Sequence, residues 1–364
     1  TERGIQKVKT RRITAILLIA CLLIAAAMPV QAAPGKQALP LSAGIEALRG
    51  QFESGCGPEA GGYAIDYSYY APAEKGDTQK YPLVIWLHGM MQGGEPGQPV
   101  KNNDFAYWSS AEFQKRFTGA GGAYLFVPRS HEEQYLYWND SMIVPLKAAI
   151  DDFIAQHRDT IDTTRIYIGG FSMGGKMTLK MTIAYPSFFA AAFPICPAFF
   201  KPTKRQMHFI KDIPMWFVAS KYDAIAGYYS FVEYEWEYLT AVTSRPADDR
   251  LSVLGTVKNP DGTQAESDHA AWVAVTYDMF TYDNGGYYNM ETRDGCGRPI
   301  ALTHPEGMIS WLSQFASDYD GTPSQGSGSY RVRSLCEELG RLICMIPEIL
   351  RTLIQIELDR IGVI

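Results

Sequence analysis

Arg165-Ile166-Tyr167-Ile168-Gly169-Gly170-Phe171-Ser172-Met173-Gly174-Gly175 is the stretch whose reading decides the fold. Arg165 to Ile168 has strand character, and from Met173 to Tyr185 the apolar positions return at helical period. A strand that passes through a sharp turn straight into a helix holds the serine at the tip. The glycines of this Gly-x-Ser-x-Gly pattern remove Cβ atoms that would collide there, so Ser172 Oγ stands above the sheet edge. The helix starting at Met173 directs its unpaired N–H groups and positive dipole end to the same place. The alternative is a Gly-rich turn that only packs strand on helix; the strand before and the helix after favour a nucleophilic serine.

Outward from this turn the same alternation continues in both directions. Tyr63–Tyr70, Leu83–Leu87 and Ala123–Val127 read as strands on one side. Between Met142 and Ile154 the apolar residues recur at steps of three and four, with Asp140 or Ser141 placed to cap that helix. On the other side Ala190–Ile195, Pro214–Ala219 and Leu251–Val257 supply three more strands, and Met308–Phe315 a last helix. Strands alternating with helices specify an α/β fold with a mainly parallel sheet and helices on both faces.

The 364 residues are 46% hydrophobic and 20% charged, which excludes a disordered or collagen-like chain. A formal charge of −6 without a long basic run excludes a nucleic-acid partner. Residues 1–32 read as a signal peptide: a basic start, an apolar run from Ile13 to Val30, then Val30-Gln31-Ala32 with small residues where a signal peptidase cuts. The alternative is a membrane anchor, because the run is about long enough to span a bilayer. Cleavage after Ala32 removes five basic residues and one acid, takes the charge from −6 to −10, and leaves no stable membrane insertion. Leu18-Ile19-Ala20-Cys21 matches a lipoprotein box by chance, since the apolar run continues past Cys21.

Cys196, inside the apolar run Ala190–Cys196, reads as an unreactive core thiol. Cys56 and Cys296 sit in Gly-flanked loops and are able to pair in an exported protein. Cys336 and Cys344 lie about 12 Å apart along one helix and cannot bridge each other there. No pair has zinc spacing and no dinucleotide fingerprint occurs, so no metal and no cofactor is expected.

Pro82-Leu83-Val84-Ile85-Trp86-Leu87-His88-Gly89, the Ser172 stretch, and Tyr185-Pro186 through Pro194-Ile195-Cys196 together resemble the α/β-hydrolase superfamily. Within it the chain is most similar to exported esterases grouped with polyhydroxybutyrate depolymerases, feruloyl esterases and prolyl-oligopeptidase-like hydrolases. The resemblance runs from Tyr63 to Phe315, with the motifs in the family's order. It implies an oxyanion hole formed by the backbone N–H groups of Met90 and Met173, with His88 a structural group because it precedes the nucleophile. It implies Asp223, after the strand Pro214–Ala219, as the acid that orients the base; many relatives have glycine where Ser220 stands. Of six histidines, His269 in Ser267-Asp268-His269-Ala270-Ala271-Trp272 matches the family's Gly-His-x-x-Trp turn, with Asp268 in place of glycine. His304 is its rival.

Tyr277–Ile300 is an insertion relative to compact relatives, and with Trp138, Tyr228 and Tyr287 it is expected to border the substrate site; packing of aromatic rings is the alternative. The domain reading is 1–32 signal peptide, 33–62 lead-in, 63–318 catalytic domain, 319–330 flexible linker and 331–364 helical tail. The tail carries a heptad seam from Leu335 to Ile356, interrupted by Pro347, and is expected to dock on the body or mediate self-association. The resemblance implies a serine carboxylesterase acting through a Ser-His-Asp triad and an acyl-enzyme, with small-molecule or polysaccharide-linked esters, feruloyl or acetyl, as substrates. A serine peptidase of the prolyl-oligopeptidase-like type and a non-catalytic binding protein on a hydrolase scaffold are the alternatives.

Overall fold

Continuous apolar runs form the strands at the middle of the sheet, because a strand covered on both faces has no solvent side on which to place polar residues. The computed structural model describes residues 44–73, 78–130, 138–281, 290–300 and 307–319, all within the unit 38–364; the other unit, 1–37, lies outside them. Among the described residues nine strands form one sheet: β1 (Glu53–Cys56), β2 (Asp66–Tyr70), β3 (Tyr81–Leu87), β4 (Tyr124–Pro128), β5 (Ile161–Phe171), β6 (Ala191–Ile195), β7 (Trp216–Ser220), β8 (Arg250–Leu254) and β9 (Met290–Asp294). Every residue of β3, β4, β6 and β7 is buried. The order is β1-β2-β4-β3-β5-β6-β7-β8-β9; the run β4 to β8 is parallel, and β1, β2 and β9 are antiparallel at the edges.

From β3 the chain steps one way to β4 and then back past β3 to β5. Right-handed crossovers in opposite directions lie on opposite faces, so the helices cover both. The main helices are α1 (Ile143–Gln156), α2 (Met173–Ala184), α3 (Val232–Thr240) and α4 (Met308–Leu312). All twelve residues of α2 are buried, and its Lys180 forms an ion pair with Asp140. Asp140 is therefore occupied, and α1 starts without a side-chain cap; Asn139 instead caps the 3-10 turn Asp140–Met142 that leads into it, its side chain accepting from Ser141 N–H at 2.9 Å.

Several boundaries move from the sequence reading. The lead-in contains an edge strand, β1, and the segment between Asp223 and β8 contains helix α3. The insertion contributes β9, held to β8 by backbone pairing and by a side-chain relay in which Trp216 Nε1–H donates to Ser252 Oγ at 2.9 Å, 2.7 Å from Thr292 Oγ1. Tyr319, read as the first linker residue, packs its ring 4.7 Å from Phe188. Cys56 and Cys296 are both free and belong to opposite edges of the sheet. Eight strand spacings put them on the order of 35–40 Å apart, so they do not pair. The 1–32 segment, most of the linker, the tail, Tyr287 and His304 lie outside the described residues. No helix among the described residues is long and apolar enough to cross a membrane.

The inner face of α3 carries one discordant residue. Glu235 is fully buried beside Val232, Trp236 and Leu239, and neither carboxyl oxygen has a hydrogen-bond partner among the described residues. Burial pushes its pKa well above the usual carboxyl range of 4.5. A carboxyl whose folded pKa is raised binds its proton more tightly folded than unfolded, so its contribution to stability falls as pH climbs above 4.5. Glu235→Leu is expected to stabilise the protein by about 1–3 kcal/mol at neutral pH, an unpartnered buried polar group being destabilising by that amount. Urea unfolding at pH 5 and pH 8 checks it: the gap between variant and wild type widens at the higher pH.

Candidate active site

Ser172 sits between β5 and α2 with φ 58° and ψ −112°, a left-handed backbone that a serine adopts only under constraint. The constraint comes from both sides of the turn. Ser172 N–H donates to Ile195 O at 2.8 Å, and Ser172 O accepts from Lys176 N–H at 3.0 Å and Ala198 N–H at 3.3 Å. Two residues on, a Cβ at Gly174 would stand 2.0 Å from Leu87 O. Only glycine lets the first turn of α2 lie against the end of β3.

That contact places the loop leaving β3 beside the serine. A Cβ at Gly89 would meet the Phe171 ring at 2.9 Å. The loop is held by His88, which is wholly buried: Nδ1–H donates to Gly89 O at 2.7 Å and Nε2 accepts from Ser130 N–H at 3.1 Å. Those partners assign the tautomer, since a backbone N–H requires an unprotonated Nε2. Burial lowers the His88 pKa to about 4; the Gly89 carbonyl opposes the shift and the Arg129 charge adds to it. Gly89 N–H donates to Gln92 Oε1 at 2.8 Å. The N–H groups of Met90 and Met173 have no acceptor among the described residues.

Asp223 leaves the end of β7 and His269 follows β8. His269 Nδ1–H donates to Asp223 Oδ2 at 2.7 Å, and Nε2 lies 2.9 Å from Ser172 Oγ, whose O–H it accepts. Asp223 Oδ1 accepts from Ile225 N–H at 2.8 Å and Ala226 N–H at 2.9 Å. Burial by itself raises the Asp223 pKa; the His269 hydrogen bond and charge, with the two N–H groups, outweigh it and hold the carboxyl below its usual value. Asp268, which replaces the family's glycine, accepts from Val257 N–H at 2.9 Å and fastens the histidine turn to the chain after β8. Ser220, likewise in a glycine position, donates its hydroxyl to Gly255 O at 3.0 Å. The structure thus brings Ser172, His269 and Asp223 into one hydrogen-bonded line with the two free N–H groups on adjoining elements. Such a line can raise the nucleophilicity of a serine hydroxyl and stabilise the imidazolium that results.

Two expected substrate contacts turn out to be scaffold. Trp138 is fully buried, donating Nε1–H to His88 O at 3.0 Å with its ring 5.0 Å from the His88 ring; it supports the loop from beneath. Tyr228 is buried edge-on to Tyr229 at 5.0 Å; burial pushes its pKa up and the nearby Arg293 charge opposes the shift. On the loops that carry the site, the exposed large apolar side chains are instead Met90 and Met91 after β3 and Tyr222 and Tyr229 after β7, from 40% to 71% accessible. Sequence reading missed Met91 and Tyr222 because no pattern marks which loop residues face water. Cys196, Asp223 and His269 offer donor atoms within 4.8 Å of one another. Of these, Asp223 and His269 are bonded to each other, the arrangement of a relay.

No family model matches the chain. A poly(3-hydroxybutyrate) depolymerase from Ralstonia pickettii is 28% identical over 188 residues, 48% of this chain and 35% of that protein, so the chain spans about a third of its length. Among solved structures a thermostable esterase superposes with a TM-score of 0.57 at 20% identity, covering 74% of this chain and 64% of that one. The fold is the α/β-hydrolase fold.

The buried, neutral His88 makes the loop beside Ser172 acid-sensitive. With a folded pKa of about 4 against 6.5 in the unfolded chain, the unfolded state binds more protons between those values. Stability from this group is complete above 6.5 and is lost as pH falls toward 4. Urea unfolding is expected to show a loss on the order of 3 kcal/mol across that interval in wild type. In His88→Gln the acid-dependent loss shrinks by that amount.

Proposed function

From the α/β-hydrolase fold and this site, we propose that the protein is an exported serine carboxylic-ester hydrolase. The observation that carries the reading is the unbroken line from Ser172 Oγ through His269 to Asp223, set at a strained turn beside two unpartnered N–H groups. Ser172 Oγ attacks the ester carbonyl carbon while His269 Nε2 takes its proton. The oxyanion formed lies against the N–H groups of Met90 and Met173, which are held in place before the substrate arrives. His269 returns the proton to the departing alcohol oxygen as the C–O bond breaks, leaving an acyl ester on Ser172. A water then repeats the sequence and releases the acid. Asp223 keeps the Nδ1–H tautomer and stabilises the imidazolium without taking the proton.

The exposed Met90, Met91, Tyr222 and Tyr229 favour esters with an apolar or aromatic part, such as feruloyl esters or 3-hydroxybutyrate oligomers, over acetyl esters. The likeness to a poly(3-hydroxybutyrate) depolymerase supports the same class. The basic and apolar segment 1–32 supports export with removal after Ala32; N-terminal sequencing of the exported product should begin at Ala33.

The test is turnover of acetyl, butyryl, feruloyl and 3-hydroxybutyrate esters, with labelling by a serine-directed phosphonate. Ser172→Ala is expected to lose at least about 1000-fold in kcat/KM with its Tm unchanged, and to escape the label. A variant keeping more than about a tenth of wild-type turnover would overturn the assignment.

A further inference from the structure

A cavity of about 330 Å³ opens at the β1 side of the sheet, where β1, β2 and β4 meet the loop after β3. Strand register explains its walls. Ser54 pairs with Ser68 and Cys56 with Asp66, and Ser68 stands beside Val127 of β4. Side chains two apart on a strand share a face, so these five come together with Arg129, two residues after Val127. Pro96 and Pro99, on the loop that also carries Met90, close the other side.

The floor is polar and buried, and the rim is open. Ser68 is 4% accessible and Arg129 6%, whereas Ser54 and Cys56 are exposed. The Ser68 hydroxyl has no hydrogen-bond partner among the described residues, although it lines the cavity. A hydroxyl buried to that extent is ordinarily bonded, so its partner is a group that enters the cavity.

Charge selects the class of ligand. The Arg129 guanidinium forms an ion pair with Asp66 and donates Nη1–H to Gly94 O at 2.9 Å, so it is engaged with the protein. An anion entering the cavity would meet the Asp66 carboxylate, which is 37% accessible, and a cation would meet the guanidinium. A neutral molecule with several hydroxyls suits both: its O–H groups donate to the carboxylate, its oxygens bond to the serine hydroxyls, and its C–H face lies on buried Val127 and Pro99. Ligand cavities run from about 300 to 1,000 Å³, and this one is at the small end, the size for one sugar unit.

We propose that the cavity between β1, β2, β4 and the loop after β3 is a binding site for a neutral sugar unit, held by Ser68 and Asp66 and separate from the ester site. Strands β4 and β3 stand between β2 and β5. Three to four strand spacings put the cavity on the order of 15–20 Å from Ser172, so a sugar bound here is not at the reacting ester.

Cys56 supplies the readout. Alkylation of the full chain by iodoacetamide, followed site by site with peptide mass spectrometry, compares Cys56 with Cys296, which is also exposed but lies on the opposite edge of the sheet. The probes are xylose, arabinose, glucose and galactose up to about 100 mM, the range for millimolar binding, and sodium sulfate at the same concentrations. At least one sugar is expected to slow Cys56 alkylation at least about fivefold and saturably, with Cys296 unaffected and sulfate without effect. Ser68→Ala, with its Tm unchanged, raises the half-protecting sugar concentration about fivefold, the loss of one hydrogen bond. Unprotected Cys56 with all four sugars overturns the proposal, and the hydroxyl then faces water only. Protection by sulfate equal to that by sugar overturns it in favour of an anion site, and protection unchanged in Ser68→Ala overturns the assigned contact. The labelling needs no turnover, so it decides this site in Ser172→Ala protein as well, whatever the ester assays show.

Discussion

How closely helix α2 approaches strand β3 governs the site. Backbone meets backbone where Gly174 faces Leu87 O, at a separation that a methyl group would reduce to 2.0 Å. Because the two elements touch there, the free N–H at the start of the helix and the loop after β3 open on the same space. The same approach forces the chain to reverse at Ser172 within one residue, and the positive φ of that serine is its result. Strain at the turn is balanced by hydrogen bonds from β6 and α2 into the serine's own peptide groups.

Around this contact the His88 ring and the Asp223 carboxylate are buried with their hydrogen bonds made. His88 has an acceptor for one ring nitrogen and a donor for the other, and Trp138 ties the His88 carbonyl. Asp223 is surrounded by donors, and Asp268 and Ser220 close the turns that lead to the acid and the histidine. A loop fixed in this way leaves little reorganisation for the moment when charge develops on a substrate oxygen. Glu235 contrasts with these groups: it lies in the packing of α3 with neither carboxyl oxygen bonded to any described residue, and it plays no part in the line to Ser172.

The insertion after His269 is divided between two tasks. Its β9 segment extends the sheet, and the Trp216, Ser252 and Thr292 relay makes that edge part of the fold. The charge of Arg293 on the same strand opposes the rise that burial gives the Tyr228 pKa. The exposed large apolar side chains Met90, Met91, Tyr222 and Tyr229 fall instead on the loops that leave β3 and β7.

The chain order of Ser172, Asp223 and His269, the alternation of strand and helix, and the glycines of the turn were legible in the sequence because each is a local pattern with a local cause. Burial runs named the central strands, while the edges β1 and β9 escaped: an edge strand is half exposed and shows no continuous apolar run. Which buried residue serves which neighbour was decided only in three dimensions. Trp138 beside His88, Tyr228 against Tyr229 and Cys196 near Asp223 are all buried apolar or weakly polar side chains, and a sequence records their hydrophobicity without the direction in which they point. Cys56 and Cys296 make the same point in reverse: both sit between glycines, and only strand order sets them at opposite edges. Local sequence determines backbone conformation through sterics and hydrogen-bond period, but contacts between distant segments depend on how whole elements pack.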